Sequence, residues 1–206
     1  MKTAVIGGTF DPVHLGHLHL LHSLVDLTDY DRVLLIPVAN PPHKQREGTV
    51  SAHDRLTMLH YALEDYKALY PDDREVELVV EPLEIERGGT SYMFDTVQEL
   101  YRTFQVTGPI GVVIGDDLLS GLRRWYRFSE LRQIVQFIVC RRSPIRPNQS
   151  LPPGSAGMFL DNPVMEDSST QIRTMIAQNN TTVAELASLL PQSVVHYILD
   201  HGLYSH

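Results

Sequence analysis

Two histidines one helical turn apart follow a pair of glycines in Gly7-Gly8-Thr9-Phe10-Asp11-Pro12-Val13-His14-Leu15-Gly16-His17. Helical positions i and i+3 share a face, so His14 and His17 can meet one ligand. Glycines let a phosphate approach backbone amides, and a helix N-terminus adds partial positive charge. The chemistry this suggests is nucleotide phosphate binding. Histidines at 14, 17, 19 and 22 also admit a metal site. Asp11 is the only nearby acid and Cys140 the only cysteine of the chain, so no protein-held metal is expected. His19 and His22 are expected to be packing or solvated residues.

Three more polar clusters carry candidate chemistry. They are Asn40 with Pro41-Pro42-His43-Lys44, Gly115-Asp116-Asp117, and Ser168-Ser169-Thr170-Gln171-Ile172-Arg173. Each follows an apolar run or opens a helix. Cys140 ends the run Phe137-Ile138-Val139, which points to a buried strand cysteine and not to a nucleophile. The charged runs 72–75 and 84–87 are read as solvated surface.

The elements that would position these clusters alternate. A short strand over 3–6 leads to a helix over about 15–27, with Leu18, Leu21 and Val25 as its buried stripe. A second strand spans 32–38, completing a right-handed βαβ unit. Ser51 caps a helix through Leu56, Leu59, Leu63 and Tyr66, and strand three spans 76–80. Residues 81–90 read as a loop. A helix over 93–104 follows, with Phe94, Val97, Leu100, Tyr101 and Phe104 on its apolar side. Strand four is 110–114. A short helical region carries Leu118, Leu122 and Trp125, a helix lies near 129–133, and strand five is 135–140. The proline-rich stretch 143–154 is a loop, and 158–160 is a short strand. Ser168 with Gln171 fits a capping box, Thr182 caps another helix, and Pro191 starts a last one closed by Gly202. The pattern predicts an α/β fold, a Rossmann-like, open, mainly parallel sheet with helices on both faces. A small helical part occupies about 168–206 of a single domain, 1–206. Ligands of such sheets bind at the carboxyl ends of the strands, where all four clusters fall.

Composition sets the outer limits. The chain has 206 residues, 43% hydrophobic and 20% charged, which is enough for a substantial core. A net charge of −8 argues against a nucleic-acid surface, which needs a basic face. No apolar run approaches the ~20 residues of a membrane span, and the start is too short for a signal-peptide core, so a cytoplasmic protein is expected.

The opening stretch resembles the nucleotidylyltransferase superfamily, marked by a Gly-x-Phe-Asp-x-x-His lead and a His-x-Gly-His element. Ser168-Ser169-Thr170-Gln171-Ile172-Arg173 is similar to its second mark, Ser-Ser-Thr-x-x-Arg. Within the superfamily the chain is most similar to the bacterial nicotinate-nucleotide adenylyltransferases. Pro41-Pro42-His43-Lys44, Ser91-Tyr92, Ile114-Gly115-Asp116-Asp117, Trp125-Tyr126, Val139-Cys140-Arg141-Arg142 and the ending Gly202-Leu203-Tyr204 match in order. The chain departs from that pattern at Asp167, where an apolar residue is usual, and at Met93, where threonine is usual.

The resemblance implies a reaction of ATP with nicotinate mononucleotide, giving nicotinate adenine dinucleotide and pyrophosphate. The acceptor's own phosphate would attack the α-phosphorus, so no protein nucleophile is needed. It implies that His14, His17, Lys44 and Arg173 are catalytic. ATP would meet Gly7, Gly8, Thr9, Phe10, His14, Gly16, His17, Ser169, Thr170 and Arg173, with Mg²⁺ on its phosphates. Asn40, His43, Thr90, Tyr92 and Asp117 would hold the acceptor, and Trp125 would stack on the pyridinium ring. Nicotinamide mononucleotide or another phosphorylated acceptor, and a non-catalytic nucleotide sensor, remain open as alternatives. An oligomer is allowed.

Overall fold

The computed structural model of the chain describes residues 1–40, 50–142, 150–164, 168–178 and 181–205. β1 (Thr3–Gly8), α1 (Leu15–Leu27) and β2 (Arg32–Pro37) form the expected βαβ unit. β1 runs further than expected because Gly7 and Gly8 stay in register with Ile36 and Pro37. α2 (Ala52–Leu69) begins at Ser51, whose hydroxyl accepts the Asp54 N–H at 3.1 Å. This satisfies one of the orphan donors of the first turn. β3 (Glu77–Val80) follows.

The expected loop at 81–90 is instead partly helical, as α3 (Leu83–Arg87). Glu84, read from sequence as solvated, is buried. Its carboxylate accepts the Thr96 hydroxyl at 2.6 Å, and Arg87 donates to Thr96 and Glu99. These partners lie on α4 (Met93–Thr103), so a run that looks like surface in one dimension is answered by the next helix. The run 72–75 is largely exposed, as expected, yet two of its side chains are engaged. Arg74 donates to the carbonyls of Val25, Thr28 and Tyr30 and closes the end of α1. Asp73 accepts from Tyr66 and pairs with His22, whose ring stacks on Tyr70.

Tyr101 of α4 does not join the apolar stripe. It is at the surface, where its hydroxyl donates to Ile134 O and accepts the Ile110 N–H. β4 (Ile110–Gly115) runs into a 3-10 helix (Asp116–Arg124), then α5 (Phe128–Ile134), β5 (Val135–Cys140) and β6 (Gly157–Phe159). The 3-10 helix carries Leu118 and Leu122 as expected, with Trp125 as its C-cap, and it buries Leu119 and Leu122 while exposing Leu118. Three residues per turn align 119 with 122, whereas an α-helical period aligns 118 with 122. α6 (Ser169–Ala177) is capped by Ser168, which accepts the Gln171 N–H at 3.2 Å, the serine half of the expected box. α7 (Val183–Ala187) carries a full capping box between Thr182 and Glu185, and α8 (Gln192–Asp200) starts at Pro191.

The described strands form one sheet in the order β3-β2-β1-β4-β5-β6, and every neighbouring pair is parallel. Alternate residues of the strands feed two separate cores. Ala4, Ile6, Val33, Leu35, Val113 and Ile138 pack with α1, α2, α6 and α8. Val5, Leu34, Ile36, Val112, Phe137 and Val139 pack with α4 and α5. Both faces are therefore apolar, which is why the strands read as continuous hydrophobic runs. The chain order reverses between β1 and β4, and the carboxyl ends of these two strands flank the crevice of the sheet. Among the described residues no helix is long and apolar enough to cross a membrane.

Gly111 shows how tightly the sheet and one core meet. A Cβ there would lie 2.5 Å from the Tyr30 ring and 2.7 Å from Ile138 Cδ1. Gly111→Ala is expected to lower unfolding stability by about 1–3 kcal/mol through overpacking. Urea unfolding measures this; a loss below a few tenths would show that Tyr30 moves aside freely.

Candidate active site

The turn after β1 is held from outside. Arg55 of α2, almost completely buried, donates to Thr9 O at 2.8 Å and to Val38 O at 2.9 Å. From α6, Ser169 donates to Pro12 O at 3.0 Å and Arg173 to Asp11 O at 2.6 Å. A loop that receives an anion must keep its carbonyl oxygens away from it. Here the carbonyls of Thr9, Asp11 and Pro12 are taken up by side chains of other helices. Phe10 has φ 47°, a left-handed backbone that costs a non-glycine residue roughly 1–2 kcal/mol. Its buried ring lies 5.0 Å from the His17 ring.

The start of α1 differs from the expected anion cradle in one respect. The Leu15 N–H donates to Leu189 O at 2.8 Å and the His17 N–H to His14 O at 2.9 Å. Those two amides are spent within the protein, so the imidazoles carry more of the bonding capacity at this helix start than a bare anion cradle would need. The His14 N–H donates to His17 Nδ1 at 3.2 Å. Nδ1 of His17 is thus the acceptor, and in the neutral ring the proton sits on Nε2. The two rings lie 3.8 Å apart at a 44° tilt. Nδ1 of buried His14 has no hydrogen-bond partner in the protein. An orphaned polar atom in a buried ring is a place for a ligand.

Burial, with the charge of Arg142 second, pulls the His14 pKa down to about 4. Burial, then His14, then Arg142 hold His17 well below the usual imidazole range. Both rings are therefore neutral at pH 7 in the free protein. Arg142 is a candidate site residue to which the sequence reading assigned no role. It follows β5, its N–H donates to Asp116 Oδ1 at 3.1 Å, and its guanidinium lies 3.9 Å from the Asp117 carboxylate. A Cβ on Gly115 would sit 2.1 Å from Asp117 Oδ1 and 2.6 Å from Arg142 Cδ. Glycine is what lets both side chains fold over the end of β4. The available sequence signal was a basic pair directly after a buried strand adjacent to β4.

Arg173 is placed at the site, but its guanidinium also braces the loop, through Asp11 O and the Thr170 hydroxyl at 3.3 Å. Gly7, Gly8, Thr9 and Gly16 line the same turn. Met93 reaches the strand end too, since a Cβ on Gly7 would touch its Cε at 3.4 Å. The residue that departs from the resemblance thus lies against the end of β1.

The expected acceptor residues gather around the end of β2 and the 3-10 helix. Asn40 and Thr90 form an isolated parallel bridge, and Asn40 Nδ2 donates to Gly89 O at 3.1 Å. Ser91 locks the bridge through Asn40 O and the Ala39 N–H. Tyr92 lies 4.6 Å from the Tyr126 ring. Trp125 is half-buried against the α4–α5 core, and Asp117 is exposed. His43, Lys44 and Asp167 lie outside the described residues. Burial raises the Cys140 thiol to about 11, so it is no nucleophile at neutral pH. Among the described residues no three His, Cys, Asp or Glu side chains are grouped to hold a metal ion.

The cytidylyltransferase-like family model matches residues 5–175. A probable nicotinate-nucleotide adenylyltransferase of Treponema pallidum is 35% identical, covering 99% of this chain and 99% of its own length. One from Lactococcus lactis is 34% identical over 98% of this chain and 95% of its own. Among solved structures, Plasmodium falciparum nicotinic acid mononucleotide adenylyltransferase complexed with NaAD superposes with a TM-score of 0.75. It covers 99% of this chain and 98% of its own at 17% identity, a likeness of fold.

The neutral histidines make stability depend on pH. A histidine whose folded pKa lies below its unfolded one binds fewer protons when folded. Its contribution is intact above pH 6.5 and is lost as pH falls from there to about 4. For His14 the loss is about 3 kcal/mol. Urea unfolding across that window is expected to show a smaller loss in His14→Gln than in the parent; equal losses would place the titration elsewhere.

Proposed function

The chain belongs to the cytidylyltransferase-like family of nucleotidylyltransferases, and on that premise we propose that it transfers the adenylyl group of ATP to nicotinate mononucleotide, as one nucleotidylyltransferase domain. The products are nicotinate adenine dinucleotide and pyrophosphate, a step of NAD biosynthesis. The observation that carries this reading is a turn whose carbonyls are tied back while two neutral imidazoles flank it at the crevice of the sheet. Full-length identity to the Treponema and Lactococcus relatives supports the choice of acceptor.

The chemistry needs no residue of the protein to be covalently modified. A phosphate oxygen of the mononucleotide attacks the α-phosphorus, the bond to the β-phosphate oxygen breaks, and pyrophosphate leaves with the electron pair. The protein aligns the two nucleotides and stabilises charge that grows on the bridging and non-bridging oxygens. His17 donates Nε2–H to an α-phosphate oxygen, its Nδ1 being fixed as an acceptor. His14 donates from its unpartnered side to the same phosphate chain. Arg173 meets the leaving pyrophosphate above Ser169 and Thr170 with the guanidinium hydrogens its loop contacts leave over. Lys44, in this reading, adds a further cation to the phosphates. Arg142 opposes the phosphates from β5 once Asp117 turns to a ribose hydroxyl. A divalent cation, Mg²⁺ in this reading, would be carried by the ATP phosphates and would neutralise part of their charge.

On the acceptor side, Trp125 stacks on the pyridinium, and the Thr90–Tyr92 backbone meets the carboxylate. Asn40 faces the mononucleotide, and the resemblance implies the same role for His43. Neutral imidazoles suit a polyanionic substrate, because they donate hydrogen bonds without holding pyrophosphate as tightly as a buried cation.

His17→Ala is expected to lower kcat by about a hundredfold or more, the loss of one donor in the transition state. Steady-state pyrophosphate release measures it, and near-parental kcat would remove His17 from the reacting phosphate. Trp125→Ala is expected to raise KM for the mononucleotide and leave that for ATP nearly constant. With the parent protein, the acid mononucleotide should outpace the amide; the reverse preference would overturn the assigned acceptor.

A further inference from the structure

Tyr204 lies in the turn after α8, 193 residues from Asp11, yet its hydroxyl donates to Asp11 Oδ1 at 2.7 Å. Both side chains are buried, Tyr204 at 8% exposure and Asp11 at 2%. The same carboxylate oxygen accepts the Val50 N–H at 3.4 Å. We propose that Tyr204 is a positioning residue for nucleotide transfer, which through Asp11 holds the turn after β1 in the conformation that receives ATP. The inference rests on the adenylyl-transfer reading.

Three observations carry it. Asp11 is the joint of the turn: its carboxylate takes Tyr204, and its carbonyl takes Arg173. Its neighbours are Phe10, whose ring lies against His17, and Pro12, whose carbonyl takes Ser169. A shift at Asp11 therefore displaces a histidine on one side and α6 on the other. Second, the bond joins two strained backbones. Phe10 has φ 47° and Tyr204 has φ 66°, both left-handed without being glycine. Such conformations persist where the surroundings over-determine them, and they concentrate at ligand sites. Third, the segment is built to deliver the ring. Gly202, at φ 60°, turns the chain, and the Leu203 N–H donates to Ile198 O at 3.0 Å. Burial, with Asp11 second, keeps the Tyr204 hydroxyl protonated, so it remains a donor at any working pH.

The effect should be one-sided. Asn40, Thr90, Tyr92 and Trp125 stand on other elements, so the acceptor half does not depend on this bond. Tyr204→Phe removes the hydroxyl and keeps the ring. It is expected to raise KM for ATP or lower kcat by about tenfold in all, the worth of one buried hydrogen bond, with the acceptor KM within about twofold. Asp11→Ala should cost the same, and the double variant no more than either alone. Additive losses, or equal shifts in both KM values, would make Tyr204 a packing residue only.

Should Tyr204→Phe not fold, hydrogen exchange on the parent chain decides. ATP with Mg²⁺ is expected to slow exchange at 203–205 together with 7–11. Protection of 7–11 alone, or of neither, would overturn the coupling. Absence of transfer with every mononucleotide would instead sink the functional reading, and the exchange result would still judge the link between Tyr204 and the turn.

Discussion

A buried guanidinium is stable only where acceptors meet it, and Arg55 meets two that belong to different strand ends. Thr9 O continues β1 and Val38 O continues β2. One cation from α2 thus ties together the exits of two neighbouring strands, and the Val38 N–H bonds Gly8 O between them at 2.8 Å. The path of the turn over the next five residues follows from that clamp. Phe10 is driven into a left-handed conformation with its ring inside. Asp11 and Pro12 present their carbonyls to α6, and the chain enters α1 with His14 already buried. Without the clamp the carbonyls would compete for the phosphate site, and an anion would meet repulsion where it now meets donors.

The electrostatic consequence runs against the net charge of −8. Around the turn the described positive charges are Arg55, Arg173 and Arg142, the Asp11 carboxylate lies among them bonded to Tyr204, and the histidines are neutral. Arg142 contributes to that neutrality and would itself face the arriving phosphates. The neutral rings act as preorganised dipoles, which need little reorganisation as charge shifts from the α- to the β-phosphate. A permanently charged ring pair 3.8 Å apart would repel itself in the empty protein.

Much of this was legible in one dimension, for a physical reason. A doubly covered parallel sheet writes continuous apolar runs, so α1 and β5 fall on the residues expected and the strand ends mark the crevice. The histidine pair and the Ser-Ser-Thr-x-x-Arg element were visible because their chemistry is local. Groups answered from far along the chain were not visible. Glu84 looks solvated until Thr96 is seen beside it, and the exposed Arg74 looks unpartnered until the carbonyls closing α1 are placed. Arg142 was hidden similarly, since its relevance depends on β5 lying next to β4. The burial of Leu119 in place of Leu118 was not legible because a 3-10 helix has 3.0 residues per turn and an α-helix 3.6.

The two halves of the site are built on different terms. On the proposed reading the phosphate half is over-determined: α2, α6 and the turn after α8 all bond to residues 9–12, and the strained Phe10 and Tyr204 belong to that network. The acceptor half rests on a single β-bridge, a 3-10 helix and rings at or near the surface, among them Tyr126 at 47% exposure. Substitutions in that half meet few partners and disturb no brace of the phosphate turn. Acceptor preference can therefore change with little effect on the handling of ATP. Met93 is where the halves touch, its side chain against Gly7 and its neighbour Tyr92 against Tyr126. A longer, flexible thioether at that seam packs the end of β1 without adding a hydroxyl that would need a partner. The departure from threonine thus falls at one of the contacts between the ring pocket and the end of β1.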